Sequence, residues 1–338
     1  MTLTVICPIY NEEKYIGQFL DSILQQDFPQ NDMEILLVDG MSKDKTREII
    51  RTYAEKYPCL KLVDNPQQTV PYAMNNGIKN AKGDTIIRLD AHAEYPTDYF
   101  TKLCNNLEKL DGAENVGGVC VTLPCNKTAI AVAIAECLSN KFGMGNSYFR
   151  VGASHVMSVD TVPFGCFRKS LFDKIGLYDT DMIRNQDDEL NGRIIKNGGK
   201  IYLLPDVEIE YFARDKVSKV RKMFYQYGLY KPLGNKKLGA PTTLRQFIPL
   251  LFVLGIVLGF VLSLLFPILW IPYFAFLLFY LLIGVIEGCK SAAKIGYKSL
   301  ALIMPYVFAN IHFSYGIGYL HGLYKVLSHK EFGVKVNR

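Results

Sequence analysis

Acidic side chains at three places in the chain have the types and spacing needed for a group-transfer reaction. Asp39 and Asp90 each end an apolar, strand-like run, and Asp187 and Asp188 open a helix-like segment. A carboxylate can accept the imide N–H of uracil or the hydroxyls of ribose, bind a divalent cation, or deprotonate a hydroxyl. We expect the three acidic positions to converge on one crevice that is open to solvent.

Asp90 and His92 have the spacing of a small metal site. They stand two residues apart just past a predicted strand, so both side chains can reach one point. A carboxylate oxygen and an imidazole nitrogen suit Mg²⁺ or Mn²⁺, and Mn²⁺ tolerates the nitrogen better. Such an ion would neutralise a leaving diphosphate. The alternative is that His92 is only a capping or packing residue and binds no metal.

The other acidic positions also have ordinary structural explanations. Asp39 and Gly40 could form a turn, with Ser42 or Asp44 capping the next helix. The acids at 187–189 could complement a helix dipole, although three in succession exceed what one helix start needs. If one of them faces a cleft, it could deprotonate an acceptor hydroxyl.

Strand-like and helix-like segments alternate through the first part of the chain. The predicted strands are Thr2–Pro8, Glu34–Asp39, Cys59–Val63, Thr85–Leu89, Val116–Leu123 and Lys200–Leu204. The predicted helices are Lys14–Gln26, Thr46–Tyr57, Val70–Lys79, Lys102–Leu110, Ala129–Leu138, Lys169–Ile175 and Asp187–Lys196, and Gly143–Ser158 is expected to be a flexible loop. This order predicts an α/β domain with a mostly parallel sheet, which binds ligands at the carboxyl ends of its strands.

Long apolar runs follow residue 247. Phe247–Phe266 and Ile271–Ile286 predict a transmembrane hairpin, and basic flanks place both of its ends in the cytoplasm. Leu300–Leu323 is long enough to span, but its histidines and glycines leave open whether it spans, re-enters or lies in the interface. The predicted domains are therefore a cytoplasmic catalytic domain (1–212), a basic interface segment (213–246), a transmembrane region (247–324) and a basic tail (325–338).

Charge and cysteine usage indicate the cellular location. Nine of the 38 Lys and Arg residues lie between positions 214 and 245, against the single acid Asp215. A basic stretch beside apolar spans predicts contact with anionic lipid rather than with nucleic acid. The chain opens without a secretory signal pattern, and its eight cysteines form no CxxC pair, so we expect reduced thiols and a cytoplasmic catalytic domain at the cell (inner) membrane.

Taken in this order, the motifs resemble those of the family 2 glycosyltransferases, which have the GT-A fold. The matching pieces are Pro8-Ile9-Tyr10-Asn11-Glu12-Glu13, the segment Val38–Thr46, the run from Asn75-Asn76-Gly77 to Gly83-Asp84, Asp90-Ala91-His92 and the acidic helix start. The resemblance covers about residues 2–235. The forms Asp90-Ala91-His92-Ala93 and Asp187-Asp188-Glu189 are most similar to the bacterial exopolysaccharide (succinoglycan-type) enzymes with a C-terminal membrane anchor.

The resemblance implies a role for each matched residue. The donor nucleotide-sugar would be bound by Pro8, Tyr10, Glu12, Asp39, Asn75 and Asp90, with Asp39 on uracil. Asp90 and His92 would bind the metal, and Asp187 would be the general base of an inverting, single-displacement transfer, with Asp188 as the alternative base. Gln226, Tyr230 and Arg193 would face the acceptor and the membrane.

Three departures from the family pattern refine this expectation. His92 replaces the second Asp of the metal motif, and Gln186 replaces the Glu that usually precedes the base. Leu229 and Tyr230 replace the Arg and Trp of the QxxRW motif of processive members, which favours the addition of one sugar per encounter.

The expected reaction is the transfer of a hexose from a UDP-sugar to a saccharide linked to polyprenyl diphosphate. Sugar transfer to polyprenyl monophosphate, a processive polysaccharide synthase and a non-catalytic nucleotide-sugar-binding scaffold are the alternatives. A dehydrogenase or a P-loop enzyme is disfavoured, since no GxGxxG follows the first strand and no GxxxxGK[ST] occurs.

Overall fold

The computed structural model describes residues 2–333. Its strands are β1 (Leu3–Ile9), β2 (Met33–Asp39), β3 (Leu60–Asp64), β4 (Thr85–Arg88), β5 (Ala93–Glu94), β6 (Ala113–Leu123), β7 (Met157–Ser158), β8 (Cys166–Arg168) and β9 (Lys200–Phe212). Its helices are α1 (Ile16–Leu24), α2 (Thr46–Lys56), α3 (Val70–Asn80), α4 (Tyr99–Lys109), α5 (Ala129–Leu138), α6 (Lys141–Met144), α7 (Tyr148–Val151), α8 (Leu171–Ile175), α9 (Gln186–Lys196), α10 (Val217–Leu238), α11 (Ile248–Leu265), α12 (Trp270–Ile295) and α13 (Leu300–Leu327).

The described strands form one mixed sheet in the order β3-β2-β1-β4-β8-β6-β9-β5, with β7 also paired to β9. The expected parallel arrangement is present in β3-β2-β1-β4. The strands from β8 onward add antiparallel pairs, beginning with β4 and β8. The carboxyl ends of these parallel strands form the edge of the sheet at which ligands bind in such folds.

The parallel strands are apolar because both of their faces are covered. All seven residues of β1 and all seven of β2 are buried, as is usual for parallel strands with helices on both sides. Helix α3 approaches β1 closely at Gly77, where a Cβ would lie 2.5 Å from Cγ2 of Ile6. The absence of a side chain at position 77 is therefore a packing requirement.

The chain divides into two compact units. The sheet unit contains residues 2–121 and 152–211 together with Gly333, and the helical unit contains Thr122–Val151 and Phe212–Phe332. This division differs from the domain boundaries expected from the sequence, because Thr122–Val151 belongs to the same unit as the C-terminal helices.

The core of the helical unit is formed by α5, α10 and α13. Their buried residues include Ile134 and Leu138 of α5, Val220 and Phe224 of α10, and Phe308 of α13. The α10 helix lies within the predicted basic segment 213–246, and one of its faces is buried in this core. Contact of its remaining basic side chains with lipid stays a prediction.

Three helical stretches among the described residues are long and apolar enough to cross a membrane: Leu244–Leu265, Pro267–Ile295 and Leu300–Leu327. Helix α12 extends nine residues beyond the predicted end at Ile286, so Lys290 and Lys294 belong to it. The third segment is one continuous helix. Residues 334–338 of the predicted basic tail lie outside the described residues.

Polar side chains join the segment containing α5 and α6 to the long helices. Ser291 of α12 donates to Glu136 (2.8 Å), and Asn140 donates to Glu287 (2.8 Å). This segment includes part of the expected flexible loop at Gly143–Ser158, which instead contains α7, the end of α6 and strand β7. The expectation of a flexible loop is therefore wrong, since Asn146 binds Arg245 and β7 pairs with β9.

Candidate functional site

Two loops at the carboxyl edge of the sheet hold each other in place. The N–H of Asn11 donates to Oγ of Ser42 (2.8 Å), and the N–H of Lys43 donates back to Oδ1 of Asn11 (2.9 Å). The next residue, Glu12, donates its N–H to Oγ1 of Thr46 (2.7 Å). Asn11 has a positive φ of 55°, a conformation that Asn adopts more readily than most residues. The loops after β1 and β2 therefore form one unit.

Asp44 stabilises the same pair of loops and the start of α2. Its carboxylate accepts the N–H of Thr46 (3.0 Å) and the N–H of Glu13 (3.2 Å). Burial opposes the charge of Asp44, but the hydrogen bonds from Thr46 and Glu13 outweigh it and lower the pKa of Asp44 below its ordinary value. Asp44 therefore contacts the first residue of α2, as the structural alternative for this position expected.

Asp39 lies beneath these loops and is not open to solvent. Its side chain has no exposed surface, and its oxygens accept the N–H of Ser42 (3.0 Å), the hydroxyl of Ser42 (2.5 Å) and Nη1 of Arg47 (2.6 Å). The expectation of a solvent-exposed carboxylate at this position is therefore wrong. The physical reason is that a buried carboxylate needs close donors, which Ser42 and Arg47 supply.

Arg47 links two neighbouring strand ends. Asp39 and Asp64 are register partners on β2 and β3, and Arg47 donates one nitrogen to each of them. The hydrogen bonds to Asp64 and to Asp39 raise the pKa of Arg47. This fork of contacts compensates the buried charge of Asp39.

Pro8 and Tyr10 lie on the other side of the same loops. Pro8 is buried in β1 opposite Val38, whereas the ring of Tyr10 is half-buried. A Cβ at Gly40 would lie 3.2 Å from the Tyr10 ring, so the glycine lets the β2 loop approach it. The accessible part of the Tyr10 ring is therefore an available apolar surface at the strand ends.

Asp90 and His92 follow β4 and are joined to the first loop through Glu12. Oδ1 of Asp90 accepts the N–H of His92 (3.0 Å). Nε2 of His92 lies 3.0 Å from Oε2 of Glu12, a buried carboxylate, and the ring of Tyr15 contacts the imidazole edge to face at 4.8 Å. The imidazole is itself 39% exposed, and Asp90 is half-buried, so both side chains keep accessible surface.

Tyr95 fixes the backbone of Asp90. Its hydroxyl accepts the N–H of Asp90 (2.8 Å) and donates to the carbonyl of the same residue (3.1 Å). The phenol is buried. Burial, together with the nearby Tyr99 and Asp90, raises the pKa of Tyr95 well above its ordinary value, so the hydroxyl remains a donor.

Asp187 forms an ion pair with Arg88 of β4. Nη1 of Arg88 donates to Oδ1 of Asp187; the arginine side chain is 9% exposed and the aspartate 33%. Burial is the largest effect and opposes the charge on Arg88, but Asp187, Tyr178 and Asp90 together outweigh it and raise the pKa of Arg88. A permanent cation therefore lies within electrostatic reach of both the second and the third acidic positions.

Two residues assigned to substrate by sequence have structural partners in the sheet unit. The amide of Asn75 donates to the carbonyl of Tyr178 (2.8 Å) and accepts its N–H (2.9 Å). The guanidinium of Arg193 binds Glu189 (2.7 Å) and the carbonyls of Ile175, Gly176 and Leu177. Polar atoms of both Asn75 and Arg193 are thus bound to the backbone of the segment before α9, so both side chains hold this segment in place.

Contacts connect Asp39 with Asp90, and Arg88 relates Asp90 to Asp187. The contacts run from Asp39 through Ser42 and Asn11 to the neighbouring Glu12, and from Glu12 through His92 to Asp90. Asp90 is within electrostatic reach of Arg88, which forms the ion pair with Asp187. Asp188 is half-buried in the first turn of α9, beside Asp187. The three positions are thus linked at one edge of the sheet; Asp39 is covered, and the convergence of the acids on one open crevice stays a prediction.

Asp90 and His92 fit a divalent cation. Within residues 2–333 no group of three or more His, Cys, Asp or Glu side chains is placed to hold a metal, so a cation here would take further ligands from a substrate. Mg²⁺ is commonly held in this way, by one or two carboxylates and substrate phosphates. The accessible carboxylate–imidazole pair has the chemistry that this arrangement requires.

Gln226 and Tyr230 belong to α10 in the helical unit. Gln226 is half-buried, and Tyr230 is buried with its ring centroid 5.5 Å from that of Phe332. Their assignment to the acceptor stays a prediction.

The chain matches the family described as glycosyl transferase family 2 over residues 4–176. A Methanococcus voltae protein named dolichyl N-acetyl-alpha-D-glucosaminyl phosphate 3-beta-D-2,3-diacetamido-2,3-dideoxy-beta-D-glucuronosyltransferase is 36% identical over 248 residues, which cover 70% of this chain and 74% of the relative. The chain belongs to glycosyltransferase family 2. The succinoglycan biosynthesis protein ExoA of Rhizobium meliloti (strain 1021) is 29% identical over 248 residues, covering 73% of this chain and 74% of that protein.

Solved structures show the fold of this family 2 glycosyltransferase. The mannosyltransferase PcManGT from Pyrobaculum calidifontis, solved with GDP-Man and Mn²⁺, superposes with a TM-score of 0.59 at 20% identity and covers 93% of this chain and 86% of that one. Staphylococcus aureus TarS 1–349 gives a TM-score of 0.51 at 16% identity and covers 100% and 94%. The fold is GT-A, with an added C-terminal helical region.

Proposed function

We propose that this family 2 glycosyltransferase moves a hexose from a UDP-sugar to a membrane-held saccharide with inversion of the anomeric configuration. The acceptor saccharide would be linked through diphosphate to a polyprenyl lipid, in the synthesis of an extracellular polysaccharide or glycan. The name of the Methanococcus voltae relative describes a dolichyl-linked acceptor, and the Rhizobium relative is named for succinoglycan biosynthesis. The first name supports a lipid-linked acceptor, and the second supports a role in polysaccharide synthesis.

The nucleoside would lie against the interlocked loops after β1 and β2. Tyr10 offers its half-exposed ring to the base, and Pro8 supports the strand end from below. Asp39 is too deeply buried to meet a ligand directly without a local movement, so its first contribution is to hold Ser42 and, through it, the loop at Asn11. The pocket is thereby formed before the donor arrives, which lowers the entropy cost of binding.

Asp90 and His92 lie at the place proposed for the donor diphosphate. Together with phosphate oxygens they would hold Mn²⁺ or Mg²⁺, which neutralises charge on a leaving diphosphate. Tyr95 fixes the backbone at Asp90, and Glu12 orients the imidazole of His92. The positions of both groups are therefore set by the protein itself.

Asp187 is the proposed general base. Its carboxylate takes the proton of the acceptor hydroxyl while the acceptor oxygen bonds to the anomeric carbon. The bond from that carbon to the diphosphate oxygen breaks, and the electron pair leaves with the nucleoside diphosphate. Attack from the face opposite the leaving group inverts the configuration. Asp188, one residue further along α9, is the alternative base.

The observation that supports this proposal most strongly is that contacts join Asp39 to Asp90 at one edge of a GT-A sheet, and that Arg88, within electrostatic reach of Asp90, forms an ion pair with Asp187. The three long apolar helices support an acceptor at a membrane, and the basic residues between 214 and 245 support contact with anionic lipid on the cytoplasmic side. We propose the cell (inner) membrane as the location, with the sheet unit in the cytoplasm.

The function is tested with purified full-length protein, a panel of UDP-sugars and GDP-mannose, and a membrane lipid extract. We expect one UDP-hexose to be consumed and one sugar to be added to an extractable lipid, with Mn²⁺ or Mg²⁺ but not after chelation by EDTA. Three outcomes would contradict the proposal and indicate another reaction: transfer of the sugar to polyprenyl monophosphate, formation of a polymer, or consumption of GDP-mannose. Binding of UDP without turnover of any donor would indicate a scaffold.

Substitution at the start of α9 distinguishes the two candidate bases. We expect Asp187→Asn to lower kcat by roughly a hundredfold or more, because a positioned base contributes about 10²–10⁴-fold. Asp188→Asn, the matched control, should lower kcat less than about tenfold, and UDP affinity should stay near normal in both variants. Near-normal transfer by Asp187→Asn together with a large loss in Asp188→Asn would move the base to position 188.

A further inference from the structure

Arg88 is fixed on the sheet at the point where the acidic positions meet. Its backbone N–H donates to the carbonyl of Gly165 (3.0 Å), and the following N–H of Leu89 donates to the carbonyl of Ile6 (2.9 Å). The strand β4 that carries Arg88 ends there, and Asp90 follows two residues later. The end of β4 therefore positions both the buried guanidinium of Arg88 and the candidate metal ligand Asp90.

Helix α9, which carries Asp187, is attached to the same sheet by other polar contacts. Asn191 accepts a hydrogen bond from Asn115 of β6 (2.8 Å) and donates one to Thr161 (2.8 Å), and all three residues are buried. Arg193 binds the carbonyls before Tyr178. The helix therefore has a fixed position without Arg88, and the Arg88 contact acts locally on the Asp187 side chain.

We infer that Arg88 is a positioning residue for the transfer reaction, which holds the carboxylate of Asp187 in the orientation needed to accept the acceptor proton. The inference rests on the proposed function, with Asp187 as the base. Arg88 is nearly buried and its Nη1 is bound to Oδ1 of Asp187, so it acts through that carboxylate rather than on a substrate. Because one oxygen faces the arginine, the rotation of the carboxylate is restricted, and the part of Asp187 that remains exposed is presented in one orientation.

A double-mutant cycle tests this role. Arg88→Lys keeps the charge but removes the planar fork, and we expect it to lower kcat by roughly tenfold or more, since small misplacements of catalytic groups have effects of this size. In the Asp187→Asn background the same change should lower the residual kcat by less than about twofold, because the carboxylate it positions is gone. The UDP dissociation constant, measured by calorimetry, should stay within about threefold in all four proteins.

Arg168→Lys is the matched control. Arg168 is a half-buried arginine on the adjacent strand β8, where it donates to the carbonyl of Leu107 (2.8 Å) away from the acidic positions. In this variant the loss of a structural arginine should lower the thermal midpoint of unfolding and leave kcat unchanged. If Arg88→Lys fails to fold, Arg88→Gln takes its place in the cycle.

The outcomes separate the inference from the proposed function. If changing Arg88 lowers kcat by the same factor in the wild-type and in the Asp187→Asn background, the positioning role is overturned. A tenfold loss of UDP affinity would overturn it as well. Neither result would contradict the proposed glycosyl transfer. An unchanged kcat in Arg88→Lys would also overturn it. Normal turnover in Asp187→Asn would instead refute the assigned base, and the positioning role with it.

Discussion

Three of the acidic side chains assigned to donor or base lie beside a basic partner. Asp39 is paired with Arg47, Asp187 with Arg88, and Glu12 with His92. Such pairs restrict the rotamers of the carboxylates, at the cost of removing charge from water. At this edge of the sheet the pairing explains how several acids remain close together.

Asp39 and Asp64 share Arg47 but differ in exposure, which makes them a matched pair for a binding experiment. Asp39 is fully buried and also holds Ser42, whereas Asp64 is 58% exposed. We expect Asp39→Asn to weaken UDP binding by roughly tenfold, or about 1.4 kcal/mol, because the loop after β1 loses its anchor through Ser42.

Asp64→Asn should change UDP affinity by less than about threefold in the same titration, since an exposed ion pair contributes little. Equal losses in the two variants, or wild-type affinity in Asp39→Asn, would show that the Asp39–Ser42 contact does not shape the nucleoside pocket.

The acids of the site were predictable from sequence, but most of their partners were not. Asp39, Asp90 and Asp187 stand at strand ends or a helix start, where spacing alone predicts a shared edge. Arg88 had a local signal that was missed: a cation inside the four-residue apolar strand β4 must find a counter-charge when buried. Arg47 and Tyr95 gave no such signal, because their roles depend on chain segments that meet only in the folded sheet.

At the scale of elements, local periodicity predicted the parallel strands and most helices within a few residues. The long strand β9 was predicted only to Leu204, although buried Val207 and Ile209 alternate with exposed Glu208 and Glu210 beyond it. Pro205 obscured this period-two pattern. The antiparallel pairs of β8, β6 and β9 depend on contacts between distant segments, which no local pattern specifies.

Helices α10 and α13 pack through glycines, a feature that has a direct test. A Cβ at Gly318 would lie 2.2 Å from the carbonyl oxygen of Tyr225, and one at Gly228 would lie 2.1 Å from that of Tyr315. We expect Gly318→Ala to lower the thermal midpoint in detergent, with a loss of about 1–3 kcal/mol from overpacking, because backbone atoms cannot move aside easily.

Gly255→Ala is the control for this prediction. A Cβ at Gly255 meets nothing within 4 Å, so the change should leave the midpoint unaltered or raise it through helix propensity. A midpoint for Gly318→Ala equal to that of Gly255→Ala would mean that the two helices are not in close contact in the folded protein.

For the whole molecule, the contacts of α13 bear on whether this helix crosses the bilayer. It meets α12 at Gly288, Gly284 and Tyr280, and α11 at Pro249 and Phe252. These positions lie at the beginning of α11, and from the middle of α12 towards its C-terminal end. Basic flanks assign both of these helix ends to the cytoplasmic side. Further along, Gly318 and Gly322 pack on α10. Helix α13 therefore follows the inner ends of the hairpin and returns to α10, so we expect it to remain near the cytoplasmic face.

Cysteine labelling in cells tests this topology in a background with the exposed Cys125 and Cys289 changed to Ser. Ile268→Cys, in the turn between α11 and α12, should react with a membrane-impermeant maleimide from outside. Ser328→Cys, at the end of α13, should react only after permeabilisation, because a cytoplasmic α13 keeps Lys325 and Lys330 on the positive side. Labelling of Ser328→Cys from outside would show that α13 crosses, and it would remove the basis for placing α10 and the end of α13 on the same face of the membrane.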